Sequence, residues 1–281
     1  MPMNVNFQLS NCQGRKRALF IGINYIGQKN ALRGCINDVQ NIKTFLMNRF
    51  AFKEQDMVSL TDDQRDPARI PTKVNIMAAM QWLVRDARPN DSFFFHFSGH
   101  GGQTRDENGD ESDGYDETIY PVDHARAGVI VDDVLHSTLV RPLPAGCRLT
   151  AIMDCCHSGS ALDLPYIYST KGQLKGENML SDVGSGVLSA GKSYLKGDIG
   201  GIMNSFGGIG KRITNPGNQA LIKQQKSSPA DVIMFSGLTA NPHQSYIQLL
   251  NSIREVLRMK YSQKPQLSSS HPVDLNLIFN M

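Results

Sequence analysis

Short apolar runs alternate with stretches of helical spacing along this chain, and this alternation limits the fold more than any other feature. The run at residues 17–24 has no polar residue between Arg17 and Asn24, which is typical of a strand buried on both faces of a sheet. The predicted strands are residues 17–24, 57–60, 91–97, 147–154, 230–235 and 274–279. Helical spacing predicts helices near residues 36–46, 72–83 and 243–258. The sequence therefore predicts an α/β fold with a mostly parallel central sheet and helices on both faces.

Composition and charge exclude several classes of protein. The chain has 281 residues, of which 40% are hydrophobic and 20% charged, so neither wholesale disorder nor a fibrous fold is expected. A net charge of +3 gives no reason to expect nucleic acid as a partner. The sequence has no apolar run of about 18 residues, so no membrane span is expected, and its polar start makes secretion an unfavoured interpretation. Five cysteines, two of them adjacent, favour a reducing compartment over a disulfide scaffold.

Two stretches depart from the alternating pattern. Residues 106–117 hold seven acidic side chains in twelve positions. Residues 169–228 hold twelve of the 25 glycines, eight Lys or Arg residues and three acids, without a sustained period. We interpret this second stretch as an exposed loop inside the domain, because the strand predicted at 230–235 must still join the sheet.

The ends of two predicted strands carry residues suited to nucleophilic catalysis. His100 follows the strand at 91–97, and Cys156 follows the strand at 147–154. The carboxyl ends of parallel strands open into one crevice, where an imidazole can take the proton of a thiol and leave a strong nucleophile. The glycines beside His100 let backbone N–H groups approach a substrate carbonyl. The alternative is a loop histidine and a pair of buried structural cysteines.

These motifs resemble a known family. Residues 97–102 (FSGHGG) and 154–159 (DCCHSG) resemble those of the type I metacaspases, which are caspase-like cysteine peptidases. The similarity extends to residues 34–38 (GCIND), 113–121 (DGYDETIYP) and 131–133 (VDD), and residues 261–272 (YSQKPQLSSSHP) resemble fungal members. It implies a caspase-like domain over 17–281, with a large part at 17–168, a processing loop at 169–228, a small part at 229–281, and a prodomain remnant at 1–16. It also implies a zymogen linked to apoptosis, which we expect to be a monomer in the cytoplasm and nucleus.

The resemblance assigns roles to individual residues. It places the nucleophile on Cys156, the general base on His100, and the oxyanion hole on the amides of Gly101 and Cys156. It places the pocket for the substrate side chain on Cys35, Asp38, Ser98 and Asp154. Two carboxylates in such a pocket favour protein substrates with Arg or Lys at the cleaved position. Asp38 has a simpler alternative role in the first turn of a helix, where it complements the helix dipole.

The resemblance also implies calcium and self-cleavage. Its calcium ligands fall on Asp116, Asp132, Asp133 and Asp163, and carboxylates are the ligands that Ca²⁺ prefers. An EF-hand at residues 106–117 is excluded, because Glu111 stands where that motif requires glycine. The preference for basic residues makes the 169–228 loop a substrate of the enzyme itself, with Lys192 and Lys196 as the expected cleavage sites.

Other interpretations are weaker. Residues 186–193 (GVLSAGKS) match a phosphate-binding loop, which predicts a nucleotide, but no apolar strand precedes them. The cysteines and histidines lack zinc spacing. A catalytically silent scaffold or aggregate-binding protein remains an alternative. The chain also departs from the family, because Cys155 replaces a usual Ser or Ala and a segment of about twenty residues expected after Gly237 is missing from the sequence.

Overall fold

A computed structural model describes residues 7–106, 114–155, 161–168, 226–236, 266–277 and 279–281. Its strands are β1 (Lys16–Gly22), β2 (Met57–Thr61), β3 (Ser92–Ser98), β4 (Gly101–Arg105), β5 (Tyr115–Ile119), β6 (Ile130–Val131), β7 (Arg148–Asp154), β8 (Tyr166–Tyr168), β9 (Asp231–Ser236) and β10 (Gln266–Ser269). Its α-helices are α1 (Cys35–Phe50), α2 (Lys73–Val84), α3 (His124–Ala127) and α4 (Asp132–Leu135). Short 3₁₀ turns cover Glu54–Asp56 and Pro67–Arg69, and a π-helical turn covers His136–Val140.

The described strands form one large sheet and one small sheet. The large sheet has the order β2-β1-β3-β7-β9-β10-β8, in which β2, β1, β3, β7 and β9 are parallel and β10 is antiparallel to both of its neighbours. The small sheet is antiparallel, with the order β4-β5-β6. The predicted α/β class with a mostly parallel central sheet is therefore confirmed.

Both faces of the large sheet are covered by other parts of the chain. Side chains on both sides of its central strands are therefore buried, which explains why these strands are mostly apolar. Alternate residues of β1 enter two different clusters, since Ala18 and Phe20 pack on one face and Leu19 and Ile21 on the other. Helix α1 covers the first face with Val39 and its apolar neighbours, and α2 covers the second. Helix α2 begins where the sequence predicts, because the Thr72 side chain accepts a hydrogen bond from the Asn75 amide and caps it.

The strand predicted at residues 274–279 is wrong. The described part of this segment is a turn, and the last strand of the sheet is instead β10. The Asp274 side chain accepts the backbone N–H of Asn276, which closes the turn, while Leu275 and Phe279 are buried as single anchors. Apolar residues at alternate positions therefore serve packing here without a strand.

Several sequence predictions fall outside the described residues. They are the helix at 243–258, the phosphate-loop match at 186–193, the cleavage sites Lys192 and Lys196, and Cys156. The helices that the structure does describe include none long and apolar enough to cross a membrane.

Candidate active site

The carboxyl ends of β1, β3 and β7 meet at one edge of the large sheet. In the register of this sheet, Ser98 lies beside Gly22 on one side and beside Asp154 on the other. His100 follows β3 directly, and Cys155, the last described residue after β7, is buried. Cys156 is the next residue of the chain and lies outside the described residues.

The four residues predicted to form the substrate pocket come together at this edge. Helix α1 begins at Cys35, immediately after Gly34, whose φ of 118° is in a region that favours glycine. The Asn24 side chain accepts the Cys35 amide at 3.1 Å, and this start places Asp38 in the first turn of the helix. The Ser98 hydroxyl then donates a hydrogen bond to Asp38 Oδ2 at 3.1 Å.

The electrostatics of this group favour a cation. Burial raises the pKa of Asp38, although the hydrogen bond from Ser98 opposes the shift. Burial, and after it the charge of Asp38, raises the pKa of Asp154 to about 6. A carboxylate whose ionisation is disfavoured by a neighbouring carboxylate is stabilised when a cationic side chain enters between the two. Burial also raises the pKa of the Cys35 thiol, so this thiol stays protonated and does not compete as a nucleophile.

His100 is oriented by the loop between β1 and α1. Its Nε2 lies 2.7 Å from the Asn30 carbonyl oxygen. A carbonyl can only accept, so Nε2 carries the proton of the neutral ring and Nδ1 keeps the lone pair. The Tyr25 ring lies 4.5 Å from the imidazole, and the Tyr25 hydroxyl accepts the His100 backbone N–H at 2.9 Å.

Asn30 and Tyr25 are site residues that the sequence predictions missed. A usable signal was present, because Tyr25 directly follows the first predicted strand, at residues 17–24, and so lies at the same sheet edge as His100. The contact itself joins residues 75 positions apart, which no spacing rule describes.

The four predicted calcium ligands lie on three separate segments of the chain. Asp116 is buried on β5, and Asp132 and Asp133 begin α4. The two Asp132 oxygens accept the backbone N–H groups of Glu117 and Asp133. Among the described residues, no three His, Cys, Asp or Glu side chains are close enough together to hold a metal ion. The donor chemistry therefore suits calcium, but the structure does not assemble these ligands.

Asp163, the fourth predicted ligand, has a protein cation beside it. Lys226 Nζ lies 2.9 Å from Asp163 Oδ1, and the two side chains are only 14% and 3% exposed. Asp163 also has a φ of 49°, which fixes a left-handed bend just before β8.

Comparison with known proteins identifies the family. Residues 16–165 match the family model described as metacaspase, peptidase C14 domain. The chain is 56% identical to metacaspase-1 of Cryptococcus neoformans, over 97% of this chain and 66% of that protein. It is 56% identical to metacaspase-1 of Yarrowia lipolytica, over 98% of this chain and 66% of that one. It is 55% identical to metacaspase-1 of Emericella nidulans, over all of this chain and 76% of the relative.

Two details qualify this similarity. The chain spans about two thirds of the length of the Cryptococcus and Yarrowia relatives. A solved structure of a protein from Geobacter sulfurreducens, 19% identical and with a TM-score of 0.55, covers 95% of this chain and 98% of its own. At that identity it supports the fold alone. The family model and the fungal relatives together show that this chain belongs to the metacaspase family of C14 peptidases.

Proposed function

We propose that this chain is a calcium-dependent cysteine endopeptidase that cuts proteins after Arg or Lys. The observation that carries the proposal is the meeting of an oriented His100 with the carboxylates Asp38 and Asp154 at one sheet edge. A general base and an anionic pocket side by side suit the cleavage of a peptide bond that follows a basic residue.

The chemistry follows from the tautomer of His100. Its unprotonated Nδ1 takes the proton of the Cys156 thiol, and the thiolate attacks the carbonyl carbon of the substrate. The imidazolium then returns the proton to the amine as the peptide C–N bond breaks, which leaves a thioester on Cys156. Water, deprotonated by the same imidazole, hydrolyses the thioester and restores the thiol.

The register of the small sheet supports Gly101 as an oxyanion donor. Gly101 lies opposite Ile119, next to the pair His100 and Tyr120, where the Tyr120 N–H bonds the His100 carbonyl at 3.1 Å. Hydrogen-bonded and non-hydrogen-bonded pairs alternate in an antiparallel ladder, so the Gly101 N–H is directed away from β5. Strand β4 is an edge strand of the described small sheet, which leaves that direction available to a substrate oxygen.

The proposal also includes Ca²⁺ as a cofactor. Buried carboxylates of Asp116 and Asp132 supply the oxygen donors that Ca²⁺ prefers. Among the described residues these groups are not assembled with Asp163, so the binding of Ca²⁺ must bring the Asp163 carboxylate and those of Asp116, Asp132 and Asp133 to one ion.

A fluorogenic peptide assay tests the function. Peptides with Arg, Lys or Asp at the cleaved position are compared with and without calcium. We expect cleavage after Arg and Lys with calcium only, none by Cys156→Ala, and most of the activity in the matched control Cys155→Ser. Efficient cleavage after Asp, or equal loss of activity in both cysteine variants, would contradict the proposal. Absence of all hydrolysis would favour the scaffold alternative instead.

A further inference from the structure

The hydrogen-bond ladder between β4 and β5 is irregular at His100, the proposed general base. The pairing of Gly101 with Ile119 places His100 opposite Tyr120, and a regular ladder joins such a pair by two hydrogen bonds. One of the two is direct, from the Tyr120 N–H to the His100 carbonyl at 3.1 Å.

The second bond is bridged by the Tyr25 hydroxyl. That oxygen accepts the His100 N–H at 2.9 Å and donates to the Tyr120 carbonyl at 2.7 Å. A side chain from the loop after β1 therefore completes the backbone pairing of His100. Burial raises the pKa of Tyr25 well above its ordinary value, although the hydrogen bond from His100 opposes the shift, so the hydroxyl keeps the proton that it donates.

Tyr25 also contacts the imidazole itself. The two rings lie 4.5 Å apart, and Tyr25 is only 1% exposed. The same loop presents the Asn30 carbonyl to Nε2, so one loop restrains His100 at its backbone, its ring face and its ring nitrogen. The loop is fastened in turn to β2, because Asp62 accepts the amides of Asn24 and Ile26 at 2.9 Å each.

The sequence around His100 leaves room for this bridge. A Cβ atom on Gly99 would lie 3.1 Å from the Tyr25 hydroxyl and 2.9 Å from the Phe97 ring. Glycine at position 99 therefore allows the hydroxyl to reach the His100 amide.

We propose that Tyr25 is a positioning residue for catalysis, whose hydroxyl holds the backbone of His100 so that Nε2 stays on the Asn30 carbonyl and Nδ1 is left to act as the base. This proposal rests on the proposed peptidase function. Tyr25 touches no reacting atom, and its effect is exerted on the placement of His100, to which rates are sensitive at the scale of 1 Å.

The variant Tyr25→Phe tests it, because the ring remains and only the bridging oxygen is lost. We expect kcat for an Arg peptide to fall about 10- to 100-fold while KM changes less than about twofold. The matched control is Tyr168→Phe, which removes another buried hydroxyl that accepts a backbone N–H, that of Val273 at 2.8 Å. This control should lose a similar amount of stability and keep its kcat. A kcat within twofold of the unaltered enzyme, or an equal loss in both variants, would overturn the proposal.

A second measurement does not depend on turnover. Imidazole ¹⁵N NMR of the Cys156→Ala protein, with the His100 signals assigned through His100→Gln, reports the tautomer directly. We expect the Nε2–H form of His100, and we expect Tyr25→Phe, but not Tyr168→Phe, to produce a mixture of tautomers or broadened signals. Unchanged His100 signals would overturn the role of Tyr25 even in an active enzyme. A protein without peptidase activity whose signals respond to Tyr25→Phe would refute the proposed function and retain the positioning role.

If Tyr25→Phe does not fold, Gly99→Ala gives a second test, since the added Cβ would lie 2.9 Å from the Phe97 ring and 3.1 Å from the Tyr25 hydroxyl, so the ring must shift and the hydroxyl must give by a few tenths of an ångström. Retention of the single Nε2–H tautomer in a folded Gly99→Ala protein would then overturn the proposal.

Discussion

At the scale of single residues, the raised pKa of Asp154 predicts that the binding of a cationic substrate depends on pH. Burial, and next the charge of Asp38, raises its pKa to about 6. The protonated carboxyl cannot form an ion pair with a cationic substrate side chain. As the pH falls below about 6, the electrostatic attraction between Asp154 and such a substrate is therefore progressively lost.

We therefore expect kcat/KM for an Arg peptide to rise with pH, with a midpoint near 6 that belongs to the free enzyme. The measurement is kcat/KM between pH 5 and 8 in a buffer of constant ionic strength. In Asp154→Asn this midpoint should be absent. The fall in kcat/KM at pH 7.5 should correspond to a loss of roughly 2 to 5 kcal/mol of transition-state stabilisation, which is the range for a buried charge that loses its partner. A profile near pH 6 that Asp154→Asn leaves unchanged would assign the titration to another group.

The residues of the site differ in how far sequence could predict them. His100, Asp38 and Asp154 were predictable, because a resemblance in short motifs names them and the strand-end rule brings two of them together. Tyr25 was not, because its role arises from one hydroxyl inserted between two backbone groups that only the folded chain aligns.

At the scale of elements, a buried polar network joins β7, β9 and the chain after β10 at the edge opposite the site. Asp231 accepts hydrogen bonds from Arg148 Nε at 2.9 Å and lies 2.9 Å from His271 Nε2. Phe7 stacks on His271 with 4.3 Å between ring centroids, so the network also holds the amino-terminal segment. Burial alone raises the pKa of Asp231, but the hydrogen bond from His271 and the charge of Arg148 outweigh it, and the net shift is downward.

The network predicts how stability depends on pH. A carboxyl whose pKa is lowered on folding contributes stability above its unfolded pKa of 3.8, and this contribution disappears as pH falls through the folded value. We expect Asp231→Asn to cost about 3–5 kcal/mol of unfolding free energy at pH 7, because the buried Arg148 charge loses the Asp231 carboxylate. Urea unfolding at several pH values measures it. The difference from the unaltered protein should shrink below about pH 4, and a difference that grows there would contradict the assignment.

A second element-scale contact concerns calcium. Lys226, which precedes β9, forms a buried ion pair with Asp163, which precedes β8, at 2.9 Å. If calcium takes Asp163 as a ligand, the ammonium group must leave first, so the ion pair competes with the metal.

We expect Lys226→Met to bind calcium about tenfold more tightly, which isothermal titration calorimetry of the Cys156→Ala protein measures without any turnover. The control Lys43→Met removes a lysine from the exposed pair with Glu54 and should leave calcium affinity unchanged. Equal affinities in Lys226→Met and the unaltered protein would show that Asp163 does not exchange one cation for the other.

Strands were predictable where apolar residues form a continuous run, and they were missed where this signal was weak. β1, β3, β7 and β9 are apolar on both faces, so their predicted positions agree with the structure to within a residue or two. Strand β4 (GGQTR) is exposed over its last three residues and carries no apolar signal, so the small sheet was not predicted. The buried pair of Asp231 and Arg148 was not predicted either. Charged residues are normally expected at the surface, and only the folded structure shows that these two are buried together.

At the scale of the whole molecule, the long connection between β8 and β9 separates two parts of one sheet. Strand β7 pairs directly with β9, although residues 155–230 lie between them in sequence, and β8 pairs with β10 across residues 169–265. A cut within this connection leaves both fragments bound to each other by the sheet and its core.

This arrangement permits self-cleavage without loss of the fold. Lys192 and Lys196 offer the basic side chain that the pocket of Asp38 and Asp154 would accept, within a glycine-rich stretch that can adopt the extended form a protease needs. On adding calcium, we expect the 31.1 kDa chain to split into pieces of about two thirds and one third of its mass. The larger piece holds His100 and Cys156, and the two should elute together in gel filtration because β7 and β9 remain paired.

Mass spectrometry of the fragments gives the position of the cut, and two variants separate its causes. The Cys156→Ala protein should stay whole with calcium, which shows that its own nucleophile makes the cut. A variant with both Lys192→Ala and Lys196→Ala should also stay whole, yet still cleave an Arg peptide if the pocket is open before processing. Loss of peptide cleavage in that variant, with calcium affinity intact, would mean that the uncut connection occupies the site and that calcium acts through its removal. Cleavage of the Cys156→Ala protein at the normal rate would instead trace the cut to another protease.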